Sequence, residues 1–104
     1  MEHLEFSFDH GSMAPANDFA HAGVVGSGNL EVLLERAELS GRCEAVVDTA
    51  IRGYERTWHK VLSDFVTRQG LADVRISIND GGATPAVVCL RLDQAAADLK
   101  GAPA

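Results

Sequence analysis

The chain of 104 residues lacks most of the features that mark a specialised protein. It has no apolar run near the roughly 20 residues that a helix needs to span a bilayer. It has no excess of positive charge: nine Lys and Arg stand against 15 Asp and Glu, a net charge of -6. A nucleic-acid binder needs a basic face to displace counterions from phosphates, so this balance argues against that class. It argues equally against an anionic membrane surface. Only two cysteines occur, Cys43 and Cys89, far apart and in apolar surroundings. They read as buried free thiols, not as a disulfide or a metal site. The four histidines, His3, His10, His21 and His59, include no pair at the i, i+4 spacing of a helical metal site. No metal is expected, and each reads as a surface or edge residue. No repeat, low-complexity tract or second domain is visible. The opening Met1-Glu2-His3-Leu4-Glu5 lacks the basic and apolar regions of a secretory signal, which predicts a cytoplasmic protein.

What is present suits one soluble domain over 1–104, since 46% of residues are hydrophobic and can fill one modest core. Leu4 to Phe8 alternates apolar and polar residues, the period of a half-buried strand. Residues 9–18 carry Gly11, Ser12, Pro15 and Asn17 without periodicity, which predicts a loop, mobile for want of apolar anchors. Phe19 to Val25 and Leu30 to Glu35 read as two strands of a hairpin. A turn at Ser40-Gly41 precedes a strand from Cys43 to Thr49. Ile51, Tyr54, Trp58, Leu62 and Phe65 then fall at helical spacing, with Gly70 placed to stop the helix. Trp58, the sole tryptophan, reads as a core anchor. Val74 to Ile78 is the cleanest strand. Thr84-Pro85 is an N-cap followed by proline at the first helical position. It predicts a helix through Val88, Leu92, Ala95, Ala96 and Leu99, although Val87 to Leu92 also alternates as a strand would. Residues 101–104 read as a frayed tail. The expected fold is α+β: a mainly antiparallel sheet of about five strands with two helices on one face, a two-layer sandwich.

Two stretches carry chemistry. In Gly26-Ser27-Gly28-Asn29 a hydroxyl flanked by glycines sits at the predicted hairpin tip, where a modifying enzyme can reach it. Gly, Ser and Asn are also ordinary turn residues. The stretch lacks the G-x-S-x-G elbow of a nucleophilic serine. It also lacks the Gly-Lys-Ser/Thr and following helix of a phosphate loop. The second stretch, Asn79-Asp80-Gly81-Gly82-Ala83-Thr84-Pro85, joins the cleanest strand to a helix start. It reads as a capped turn, or as a place where backbone amides, Asn79, Asp80 and Thr84 receive a phosphate of something attached at Ser27. Glu31, Glu35, Glu38, Glu44 and Asp48 form a solvated acidic face that would also suit basic partner subunits.

Together, Val25 to Glu35 and Val74 to Pro85 closely resemble the acyl carrier protein (delta) subunit family of malonate decarboxylase, a relative of the citrate lyase acyl carrier subunit. The resemblance runs from about Leu4 to Leu99. It implies that Ser27, presented by Gly26, Gly28 and Asn29, carries a covalent 2'-(5''-phosphoribosyl)-3'-dephospho-coenzyme A group, whose thiol bears acetyl and malonyl as thioesters. It implies a non-catalytic subunit that works with acyltransferase and decarboxylase subunits and is loaded by a prosthetic-group transferase. Asn29 stands where most members have an acid. The alternative readings are a small α/β interaction or regulatory module in which Ser27 is only a turn residue, and a stand-alone enzyme with Ser27 as nucleophile.

Overall fold

Period-two alternation builds five strands, and two stretches of helical period close over one side of them. In this computed structural model, residues 1–9, 11–13 and 15–101 are described. His10 and the tail beyond Gly101 lie outside the described residues. The elements run β1 (Glu2–Phe8), β2 (Phe19–Gly26), β3 (Asn29–Arg36), β4 (Cys43–Thr49), α1 (Glu55–Gln69), β5 (Val74–Asp80) and α2 (Pro85–Leu99).

The strands form one sheet in the order β1-β4-β5-β3-β2. β1 with β4, β2 with β3 and β3 with β5 pair antiparallel, whereas β4 and β5 run parallel from Cys43↔Val74 to Thr49↔Asp80. Three of the four pairings are antiparallel, in line with the expectation of a mainly antiparallel sheet, and the one parallel pair makes the sheet mixed. The reason is α1: a helix between two strands returns the chain to the end where the first strand began, so the second runs the same way. Leu30, Val32, Leu34, Cys43, Ala45, Val47, Val74, Ile76 and Ile78 all point to one face. Trp58, Leu62, Phe65 and Val66 of α1 and Val88, Leu92, Ala95, Ala96 and Leu99 of α2 cover it. The other face of the sheet is open.

α2 starts at its signal. The Thr84 hydroxyl accepts from the Val87 amide at 3.4 Å, and Pro85 fills the first position, where its missing N–H has no helical partner to lose. The strand alternative for Val87 to Leu92 is thereby excluded. Lys100 caps this helix, its N–H donating to Ala96 O at 3.0 Å, and the Gly101 N–H follows with a bond to Asp98 O at 3.1 Å. α1 starts later than its apolar stripe suggests. Gly53 has φ +91 and Tyr54 is not helical, so Ile51 and Tyr54 lie outside the helix and stay exposed at 46% and 53%. Gly70 ends it in the left-handed region at φ 65.

Among the described residues before β2, four expected to lie in a mobile loop make backbone hydrogen bonds to the rest of the fold. Gly11, Ser12 and Met13 donate backbone N–H groups to Gly41 O (3.3 Å) and Gly70 O (3.0 and 2.9 Å), and Asn17 N–H reaches Leu99 O at 3.0 Å. These anchors are backbone groups, which side-chain patterns do not display. Cys43 is buried, with its thiol pushed above the ordinary range by desolvation, and donates to Leu71 O at 3.3 Å. Cys89 is also a free thiol, but only half-buried. No helix among the described residues is long and apolar enough to cross a membrane.

Phe65 is fully buried among the sheet and both helices. Phe65→Ala is expected to cost about 3–5 kcal/mol, the range for emptying a packed aromatic site. Urea unfolding checks this: the midpoint should fall with an unchanged slope.

Candidate functional site

The β2–β3 hairpin turns at Ser27 and Gly28, between the paired residues Gly26 and Asn29. Gly28 has φ +73 and Ser27 keeps a negative φ. That is the sign pattern of a type II turn, whose third position calls for glycine. Ser27 is exposed. A β-carbon on Gly26 or Gly28 would meet nothing within 4 Å, so the hydroxyl stands at a tip with open space on both sides.

What holds this tip is the second stretch. Gly28 N–H donates to Gly81 O at 3.2 Å, and Gly81 N–H donates to Asn29 O at 2.9 Å. The two backbones lie so close that a β-carbon on Gly81 would sit 1.9 Å from Gly26 O. Only glycine permits such an approach. The two motifs that the sequence pairs by resemblance are thus in direct contact.

The remaining expected site residues have separate positions. Asp80 is buried beneath the loop. Its carboxylate accepts the Ala83 N–H at 2.9 Å and the Thr49 hydroxyl at 2.8 Å, so it fixes the loop from inside. Asn79 points to the open face of the sheet, where its amide donates to Glu31 at 3.1 Å. Thr84 caps α2. The Asn29 side chain accepts the Leu30 N–H at 2.8 Å, within its own strand. Among the described residues, no hydrogen bond joins the Ser27 hydroxyl to a histidine or carboxylate, so the geometry offers no activated nucleophile.

Two features escape sequence reasoning. The first is Arg91 on α2. It lies against Gly23, where a β-carbon would come within 3.2 Å of Arg91 Cδ. Its Nε is buried without a hydrogen-bond partner among the described residues, while Nη1 donates to Gln94 at 3.1 Å. The one hint in the sequence is Gly23, an apparently dispensable glycine within a strand. The second is a groove of about 340 Å³ between the N-terminal ends of α1 and α2, adjoining Gly82. Its walls include Ile51, Tyr54, Trp58, Val61 and Val88, and Asp80 lines it as well. Helical spacing had assigned Ile51 and Tyr54 to α1, which hid the groove.

The acidic residues fall on the open face of the sheet. Glu31, Glu35, Glu44 and Asp48 all lie there by strand parity, and Glu38 follows in an exposed loop. Several of them have local partners. His21 meets Glu31 at 3.0 Å, His3 meets Asp48 at 2.7 Å and Arg75 meets Glu44 at 3.5 Å. Hydrogen bonds from His21 and then Asn79 hold the Glu31 carboxyl below its ordinary pKa of 4.5. Bonds to Asp48 and Glu5 raise the His3 pKa above 6.5.

Comparison with known proteins gives concordant results. Residues 17–99 match the model of the malonate decarboxylase delta subunit family (MdcD). A malonate decarboxylase acyl carrier protein of Xanthomonas campestris is 55% identical over 105 residues, spanning all of both chains. One of Burkholderia cepacia is 56% identical over 99 residues, covering 95% of this chain and 91% of its own. Among solved structures, a chain of a crystal structure of a Pseudomonas malonate decarboxylase hetero-tetramer in complex with malonate superposes with a TM-score of 0.82 at 37% identity. That match covers 95% of this chain and 99% of the other.

Gly81→Ala is expected to displace the hairpin tip and cost about 1–3 kcal/mol, as overpacking does. Thermal unfolding reports the loss, and faster hydrogen exchange at the Gly28 amide locates it. For Glu31 the folded pKa lies below the unfolded one. Its contribution to stability is therefore present above about 4.5 and is lost as pH falls through the folded value. His21→Ala should move the Glu31 carboxyl back toward 4.5, read from its carbon chemical shift across an acid titration.

Proposed function

Because the chain belongs to the malonate decarboxylase delta subunit family, as an acyl carrier subunit and not a catalytic one, we propose that Ser27 is the residue on which the acyl group is carried. The group attached there is 2'-(5''-phosphoribosyl)-3'-dephospho-coenzyme A, joined through a phosphodiester to the Ser27 oxygen. When bound, it supplies a terminal thiol that holds acetyl and malonyl as thioesters. The observation that carries this reading is the exposed hydroxyl of Ser27, at a tip with open space on both sides and seated on Gly81.

The residues present fit such a group. Gly26 and Gly28 leave room around the hydroxyl for a modifying enzyme and for a bulky product. The reciprocal bonds with Gly81 fix the tip, so the arm leaves from a defined point without ordering a loop at each encounter. Cys43 and Cys89 take no part: one is buried and neutral, and the reactive thiol arrives with the arm.

The acidic open face is suited to basic surfaces on the acyltransferase and decarboxylase subunits and on the prosthetic-group transferase. Complementary charge speeds encounter and rejects wrong partners more than it adds affinity. A cytoplasmic location goes with this reading.

Expression together with the transferase and the enzymes that make its substrate tests the site. The intact mass should rise by the mass of the phosphodiester-linked group, and peptide mapping should place the gain on Ser27. Ser27→Ala should show none of it while unfolding at nearly the wild-type temperature, since an exposed turn substitution falls within about 0.5 kcal/mol. A mass gain that persists in Ser27→Ala would place attachment elsewhere.

A further inference from the structure

The groove between the two helix ends is not needed to attach anything at Ser27, yet it adjoins the turn that holds Ser27. Gly81, bonded to Gly28 and Asn29, is followed directly by Gly82, which lines the groove. Its volume of about 340 Å³ lies at the lower end of the range for small-molecule pockets. Ile51 and Tyr54 stay about half exposed at its rim, while Trp58, Val61 and Val88 form its deeper wall. An apolar concavity with exposed apolar rims is open surface that the fold leaves uncovered.

We infer that this groove shelters the acetyl-thioester end of the arm between transfer steps and excludes the malonyl form. The inference rests on Ser27 as the attachment point. The apolar walls suit a methyl thioester and the methylenes beside it, which gain by leaving water. Thr57 and Thr84 at the lining offer hydroxyls for the amides of such an arm.

Charge decides between the two acyl forms. Among the described lining residues none is Lys, Arg or His, and the buried carboxylate of Asp80 lines the groove. A malonyl carboxylate entering here would lose its water, meet no cation and face a like charge. The N-terminal end of α2 opposes this with about half a positive charge, but Thr84 and Pro85 stand exposed to solvent, where that field is screened. Asp80, by contrast, is buried, where solvent screens it less. The groove thus holds the acetyl form and leaves the malonyl form out, where a decarboxylating partner can take it up.

The test uses the loaded full-length chain and needs no partner subunit. Neutral hydroxylamine attacks the thioester carbonyl, forming a hydroxamate and freeing the arm's thiol, and mass spectrometry follows the loss of the acyl group. If the groove is occupied nine-tenths of the time, acetyl should be released about 10-fold more slowly from the wild type than from Thr57→Phe. Thr57 is an exposed helical residue, so phenylalanine there fills the mouth without entering the core. Malonyl should leave both proteins at one rate. Trp58, the sole tryptophan, gives an independent signal in the unsubstituted chain. Its emission should shift when the thiol is acetylated and return when malonyl replaces acetyl. Equal acetyl release from both proteins, or Trp58 emission indifferent to acetylation, overturns the shelter. Equal slowing of both acyl groups overturns the discrimination by Asp80. An absent mass gain at Ser27 overturns the attachment reading itself, and the shelter with it.

Discussion

The close approach of two backbones, at Gly26 and Gly81, is the constraint on which the rest of the site depends. Strand pairing alone would leave the β2–β3 hairpin projecting past the sheet, with its tip free to sample many directions. The absence of a side chain at Gly81 lets the tip settle onto the loop after β5 and exchange two hydrogen bonds with it. Asp80, one residue earlier, braces that loop from below through Thr49 and Ala83. The exposed serine is therefore joined to the buried core by a short chain of fixed groups: Ser27 turn, Gly81, Asp80, Thr49. Exposure usually brings disorder, and here the hydroxyl is accessible while its backbone is held.

Much of the fold was legible because its signals are local. The period-two strands, the Thr84-Pro85 start of α2 and the Gly70 stop of α1 each depend on residues close together in sequence. The direction of β5 against β4 was not legible in that way, since it follows from where α1 delivers the chain. The backbone bonds that pin residues 11–13 and 17 involve no distinctive side chain. Ile51 and Tyr54 were misplaced because they keep helical spacing, and the break at Gly53 acts through backbone geometry. At the site the division is the same. Gly26-Ser27-Gly28 announces a turn, and the resemblance pairs it with Asn79 to Pro85. Neither says that Gly81 is the point of contact, or that Asn79 faces the other side of the sheet.

The two faces of the sheet divide the labour. One is sealed by α1 and α2 and supplies the stability. The other carries Glu31, Glu35, Glu44 and Asp48, interleaved with His3, His21 and Arg75. These pairs are exposed, so each contributes little to stability. Their effect is to join neighbouring strands side chain to side chain across the open face.

The irregularity in β2 bears on the protein in isolation. Gly23 pairs with Glu31 and Gly26 with Asn29, so β2 holds one residue more than its partner over that stretch. β2 is an edge strand and exposes Phe19, Val24 and Val25. A flat edge with that composition is a template on which further strands can add, the first step toward aggregation. The extra residue bends the edge and interrupts its ladder of unpaired groups. The bend thus makes the apolar edge beside the Ser27 turn a poorer template for strand addition than a flat edge would be.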